Sequence, residues 1–508
     1  MDIIKKGTNP IIKGDFPDID VIRVDDTYYM VSTTMYFMPG AVIMRSYDLI
    51  NWEYCCHVYD KLADTDRENL EGDKHAYGNG MWAPCIRYHD GVFHVIFAAN
   101  DTRTTYNFTA TDIMGPWTMN TIEGFFHDSS VLFDDDGRVY IVSGNRNISI
   151  VELEPDLSKP KEGGLNKIII RDHPRAPLGL EGSHIYKING RYYIFFIHSS
   201  WKRWFRCEAC YMCETLDGVW AGGDVIESDV GDLGTSGVAQ GGIVDMPNGE
   251  WAGVIFSDMG AAGRMPNFVP MHFDPRSGFP VFDNPTLEVQ NYSTRPDYEY
   301  APVFVSDDFD YTPDENGKIN LNMAWEFNHN PKNDFWTVKD GNFIVKTEKI
   351  APTLDLARNM LTQRTAFPKC EAIVTLDASA VNDGDCAGLS VMQYHYGLIG
   401  VAKENGKYKL VMRSRATDGE FKETEHEYEA IAIDNPVVTL KATAEFGAGK
   451  EFCEFWYLAD GEWKQLGIRQ HVRFDLRHFT GCRFGLFNYS TKETGGEAKF
   501  SHFVYNLD

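Results

Sequence analysis

Short runs of Val, Ile, Tyr and Phe alternate with polar positions and are broken at close intervals by Asp-Gly, Asn-Gly and Gly-Pro turns. Such a period-two pattern predicts strands and leaves almost no helical signal. One unit recurs: a turn of the form Asp/Asn-Gly-x-aromatic running into an apolar strand. It stands at Asp90, Asp136, Asn189 and Asn248, and at Asp25 with Asp26 in place of the glycine. Repeats about 45–65 residues apart suit four-stranded propeller blades with loops of variable length. Trailing segments that end in Trp52, Trp117 and Trp220 fit an outer strand of the same blades. Five copies end near Phe282. Residues 283–302, with prolines after Asn284 and Arg295, read as a linker without regular structure. From Val303 the strands alternate at closer spacing with no blade repeat, which reads as a β-sandwich. The expected fold is all-β, a five-bladed β-propeller over 1–302 followed by a β-sandwich over 303–508.

The repeat also aligns chemistry. Eight positions before Asp90, Asp136, Asn189 and Asn248 stand Trp82, Asp128, Glu181 and Gln240, and seven before Asp25 stands Asp18. Equivalent positions of a propeller face one central funnel, so these five side chains are expected to converge there. Taken singly, an acidic residue at a strand start is an ordinary turn residue. Three carboxylates in register are a different matter. Like charges held together raise at least one pKa and set a neutral acid beside an ionised base. Glycoside hydrolysis needs that pair: one carboxyl protonates the leaving oxygen and the other activates water.

Composition narrows the partners. The net charge of −26 disfavours nucleic acid and anionic membrane surfaces and suits a neutral substrate. No apolar run is long enough for a membrane span. The first residues lack a basic segment followed by an apolar one. A cytoplasmic location is therefore expected, or a periplasmic or secreted one if a leader has been removed. Cys207, Cys210 and Cys213 form a C-x2-C-x2-C cluster, but strand alternation puts neighbouring members on opposite faces. Buried reduced thiols are expected there rather than a metal site.

Four stretches carry a family resemblance: Asn9-Pro-Ile-Ile to Phe16-Pro-Asp18, Met81-Trp-Ala-Pro84, His127-Asp128-Ser-Ser-Val-Leu-Phe, and Leu180-Glu181-Gly-Ser-His-Ile-Tyr. Together they resemble glycoside hydrolase family 43. The second half is similar to the concanavalin-like sandwich of its β-xylosidase branch, through Trp325-Glu-Phe-Asn-His-Asn-Pro331, Ala357–Arg364 and Phe484–Lys492. The resemblance implies an exo-acting, inverting β-xylosidase and/or α-L-arabinofuranosidase on an oligosaccharide. It implies Asp18 as general base, Glu181 as general acid and Asp128 as the group that tunes and orients the acid. It also implies sugar contacts from Arg264 and from Phe479 on a sandwich loop. From the residues themselves, Trp82 and Phe37 are expected as walls against the sugar and Trp201 at the next subsite. Gln240 stands where many relatives carry a histidine near an axial calcium. No cofactor is required, a structural calcium is optional, and a homo-oligomer is compatible. The competing readings are a carbohydrate-binding propeller without activity and a retaining fructan-type hydrolase on the same fold.

Overall fold

The computed structural model describes residues 4–415, 425–447 and 449–507. Its first part holds five four-stranded antiparallel sheets. Their innermost strands are Asp20–Val24, Met81–His89, Ser130–Phe133, Glu181–Ile188 and Val238–Asp245. Each innermost strand touches the next, and that of blade five touches that of blade one, so the sheets close into a propeller. The recurrent Asp/Asn-Gly turn is the hairpin between the first and second strands. Asp90 and Gly91, like Asn189 and Gly190, both take positive φ, the geometry of a type I′ turn that matches the strand twist.

The segment 283–302 departs from the expected unstructured linker. Within it Glu288–Tyr292 forms a strand that pairs antiparallel with Ile4–Thr8. Asn9 completes this clasp: its amide donates to the carbonyls of Phe268 and Thr286 at 3.0 and 2.9 Å and accepts from the Phe268 N–H at 2.8 Å. The beginning of the chain is thereby fixed to blade five. Two prolines did not prevent pairing because the strand lies between them.

A buried polar network fills the propeller axis. Asp20 of blade one accepts from the Ile86 N–H at 2.9 Å and from Arg87 at 2.6 Å, both in blade two. Arg87 donates in turn to Ser130 of blade three at 2.7 Å. In blade four, His184 lies 3.1 Å from Asp20, and the Tyr186 hydroxyl accepts from the Ile243 N–H of blade five at 3.0 Å. Burial alone pushes the Asp20 carboxyl up, but the Arg87 and His184 charges outweigh it and hold it well below the usual range. Nearby lies a different buried acid. Glu208 is fully buried and accepts from the Gln240 N–H at 2.7 Å, while its Oε1 has no hydrogen-bond partner among the described residues. Desolvation pushes this carboxyl well above the usual range.

The second part packs two antiparallel eight- and seven-membered strand paths face to face as a sandwich, with Phe343, Leu389, Phe455, Phe484 and Phe500 buried between them. The outermost strand of one of the two sheets belongs to the propeller: Phe37–Met38 pairs with Phe327 and Asn328. Behind that junction Glu326 accepts from Arg364 at 2.9 Å and Arg483 at 2.6 Å, with His57 at 3.2 Å. Two guanidiniums around one carboxylate make a seam in which every charge has a partner.

Replacing Asp20 with Ala strands Arg87 and His184 in the axis and is expected to cost about 3–5 kcal/mol of stability. Denaturant unfolding checks this; a loss under about 1 kcal/mol contradicts the axial role. Glu208→Gln tests the other acid. A raised folded pKa adds nothing below the ordinary carboxylate range and destabilises progressively as pH rises through it. The variant and wild type are therefore expected to melt together near about pH 4, with the variant gaining as pH rises toward about 8. A difference constant with pH contradicts the assignment.

Candidate active site

Within two residues of the start of each innermost strand stands a residue of positive φ: Asp18 (51°), Ala83 (32°), Asp128 (48°), Gly182 (64°) and Gln240 (64°). Four of the five are not glycine, so the blades repeat a strained kink at the mouth of the funnel. The kink turns Asp18, Asp128 and Gln240 inward, and in blades two and four it follows directly on Trp82 and Glu181. Gly182 has a second reason to be glycine. A Cβ there would lie 2.6 Å from the Gln240 amide carbon.

Antiparallel order puts the connection between second and third strands on this same edge of every blade. The segments 33–39, 100–103, 144–146, 200–205 and 259–263 therefore surround the opening. One of them supplies direct support: Asn145 donates its amide to Glu181 Oε2. From the opening segment of the chain, the Asp15 carboxylate accepts from the N–H of Arg264, the first residue after segment 259–263, at 2.7 Å. The other Asp15 oxygen accepts from the Gly481 N–H at 2.7 Å, so one carboxylate ties blade five to a sandwich loop.

That loop reaches the site. Arg264 donates to Asp18 Oδ1 at 2.7 Å and to the Phe479 carbonyl at 3.2 Å. Its guanidinium carbon sits 4.5 Å from the centre of the Phe479 ring, which meets Trp82 edge-on at 5.4 Å. Trp82 lies 5.8 Å from the His127 ring. His127 stands between two acids, 3.6 Å from Asp128 Oδ1 and 3.7 Å from Glu181 Oε2. The result is a pocket with carboxylates at its floor and aromatic rings beside them.

The electrostatics follow from burial and crowding. Desolvation raises the Asp18 carboxyl, against the opposing Arg264 charge. Desolvation also raises Asp128, with Glu181 and Asp18 adding repulsion and His127 opposing, to about 7. Burial disfavours a charged His127, but Asp128 and Glu181 outweigh it and carry the imidazole up to about 9. Glu181 is the most accessible acid, its side chain 20% exposed against 8% for Asp128 and 9% for Asp18.

The structure thus brings together Asp18, Trp82, Asp128, Glu181, Gln240, Arg264 and Phe479. Two other expected residues lie elsewhere. Phe37, expected as a wall against the sugar, is 2% exposed in the seam between the two parts, with the Arg483 guanidinium 3.4 Å over its ring. Its segment has been captured as a strand of the sandwich sheet, and no face is left for a ligand. Trp201 is 58% exposed on the mouth segment 200–205 and neighbours the His173 ring at 6.2 Å, outside the carboxylate cluster. Sequence reasoning missed Asp15, His127 and Asn145 as parts of the site. His127 directly precedes the repeat position Asp128, Asn145 lies on the connection after the second strand of blade three, where the repeat offers no signal, and Asp15 acts through backbone N–H groups that no side-chain pattern displays.

Among the described residues two trios stand close enough to hold a metal: His127, Asp128 and Glu181, and His198, Cys207 and Asp224. Around Gln240 the structure gathers its amide and the unpaired Glu208 Oε1. Calcium takes about 6–8 oxygen ligands, and this set of protein donors does not fit it.

Comparison with known proteins agrees with this arrangement. The model of glycosyl hydrolases family 43 matches residues 7–260, and that of the β-xylosidase C-terminal concanavalin A-like domain matches 307–506. A β-xylosidase of Formosa agariphila is 25% identical, over 98% of this chain and 90% of its own. A non-reducing end α-L-arabinofuranosidase of Bacteroides ovatus is 26% identical, over 80% of this chain and 78% of its own. Among solved structures, a bifunctional GH43-CE protein of Bacteroides eggerthii superposes with a TM-score of 0.89 at 37% identity. It covers all of this chain, which spans 64% of that protein's length. A GH43 enzyme engineered to show both endo-xylanase and exo-arabinofuranosidase activity superposes at 0.87 with 28% identity, over 99% of this chain and 100% of its own. An all-β chain with a five-bladed propeller, a carboxylate-floored funnel and a concanavalin-like sandwich that reaches into it, this protein belongs to glycosyl hydrolases family 43.

Proposed function

We propose that the protein releases terminal xylosyl and/or arabinofuranosyl units from the non-reducing end of xylo-oligosaccharides or arabinoxylan and arabinan fragments, with inversion at the anomeric carbon. The observation that carries this reading is the sandwich loop at the site. Phe479, with Asp15 and Arg264 behind it, walls one side of the funnel. A funnel walled in this way favours a chain end over the middle of a polymer. Family relatives named as xylosidase and as arabinofuranosidase support both sugars.

In this reading Asp18 is the general base. Arg264 favours its ionised form and fixes one oxygen, leaving the other to take a proton from the attacking water. Glu181 is the general acid, since its accessible carboxyl reaches the leaving oxygen and Asn145 orients it. Water bonds to the anomeric carbon as the glycosidic C–O bond breaks, Glu181 gives its proton to the departing oxygen, and solvent exchange resets both acids. Asp128, buried beside Glu181 and His127, orients the acid in this reading. Trp82 and Phe479 bound the sugar, Arg264 and Gln240 offer donors to its hydroxyls, and Trp201 stacks on the next unit. All three acids are gathered at one site, which favours an enzyme over a binding module without activity.

Turnover of p-nitrophenyl β-D-xyloside or α-L-arabinofuranoside tests the reading; saccharide binding without turnover of either contradicts it. Glu181→Gln is expected to lose about 10²–10⁴-fold on xylobiose, and much less on the aryl glycoside, whose leaving group needs no proton. Asp18→Asn is expected to lose similarly on both. Equal losses for Glu181→Gln on the two substrates contradict its role as the acid.

A further inference from the structure

Blade four carries a group of potential ligands that the hydrolytic reading does not use. His198 near the end of strand Arg191–Ser199 lies directly opposite Cys207 of strand Arg206–Cys213. Asp224, on the outer strand Ala221–Ile226, places its Oδ1 2.7 Å from His198 Nε2. An imidazole nitrogen, the Cys207 sulfur and an Asp224 oxygen all lie within 4.8 Å of one another. The Cys207 residue is fully buried, whereas Asp224 is 40% exposed along its side chain, so the group has both a closed floor and a way in. The His198 Nδ1 is buried without a hydrogen-bond partner among the described residues.

We propose that His198, Cys207 and Asp224 form a site for a borderline divalent metal of the Zn2+ class, which ties together the base of the loop carrying Trp201 and Trp204. The donor set selects the metal. Thiolate and imidazole favour Zn2+ or Co2+ over the oxygen-seeking Ca2+ and Mg2+. Thiolate and carboxylate together balance the charge of a divalent ion. Tetrahedral bonds of about 2.0–2.3 Å need donors roughly 3.3–3.8 Å apart, so the His198–Asp224 pair, now 2.7 Å apart, opens to admit the ion between donors that all lie within 4.8 Å of one another. Binding displaces the thiol proton and the proton now shared between His198 and Asp224, and both leave to solvent. Three ligands leave a fourth position for water.

The consequence lies in the loop. His198 and Cys207 flank the 199–206 connection, and this connection opens onto the mouth of the funnel. Trp201 and Trp204 are 58% and 54% exposed on it. A metal at its base holds the two strand ends together and limits where the tryptophans travel. That consequence for catalysis rests on the subsite reading of Trp201; the metal site itself does not. Spacing along the sequence concealed the site because its ligands come from three adjacent strands. The C-x2-C-x2-C run contributes only Cys207.

Titration of the EDTA-treated full chain with Co2+ tests the proposal. About one equivalent is expected to bind with a near-ultraviolet thiolate-to-cobalt band. Cys207→Ser is expected to abolish the band, and His198→Gln and Asp224→Asn to weaken binding at least about tenfold. The band separates this site from the His127, Asp128 and Glu181 trio, which contains no sulfur. Zn2+ is further expected to slow tryptic cleavage after Lys202 and Arg203 in wild type but not in Cys207→Ser. Absence of the band, or its persistence in folded Cys207→Ser, overturns the site. Cleavage at the same rate with and without Zn2+ overturns the clamp. Neither readout depends on glycoside turnover, so failure here leaves the hydrolytic reading standing and the reverse.

Discussion

The Asp20 carboxylate at the axis is the interaction on which the propeller depends. Blades are held together mainly by apolar packing between neighbouring sheets, which is non-directional and tolerates sliding. The axis is where five sheets meet and where sliding has to stop. Asp20 grips blade two through Ile86 and Arg87 and blade four through His184. Arg87 and Tyr186 then extend the network to Ser130 and Ile243 in blades three and five. A buried charge with full partners is a poor source of net stability but a strict source of geometry. Here it fixes the register of the innermost strands, whose first residues form the site.

That register lets the funnel concentrate charge. Asp18, Asp128 and Glu181 repel one another in a desolvated space, and the backbone delivers two of them on left-handed kinks. Both features are costly locally. Arg264 and His127 offset the repulsion, while the Glu326 seam and the Asp15 bridge keep the sandwich loop in place. The sandwich is thus part of the pocket. It supplies Phe479 and takes a strand from blade one in return, which is why Phe37 faces inward between the two parts rather than toward a sugar.

The sequence displayed the repeat, and the repeat displayed the funnel. Hairpin turns and alternating strands are local signals, so the five blades and the sandwich were legible, as were the three acids that share a repeat position. What stayed hidden is non-local. The clasp between Ile4–Thr8 and Glu288–Tyr292 joins the two ends of the propeller. Asp15 works on backbone groups far away in the chain. His198, Cys207 and Asp224 gather across three strands, while the eye is drawn to the cysteines that are close in sequence. Positive φ at Asp18, Asp128 and Gln240 has no side-chain signature at all, since only glycine advertises such a conformation.

In the proposed mechanism Asp18 and Glu181 act from opposite faces of one sugar, with a water between Asp18 and the anomeric carbon. Proton NMR of the first product released from a β-D-xyloside, followed before mutarotation, tests it most directly. α-Xylose is expected as the initial product, with the β anomer growing in later at the spontaneous rate. Initial release of β-xylose means a covalent intermediate and retention, and it contradicts the assignment of Asp18 as a base acting through water.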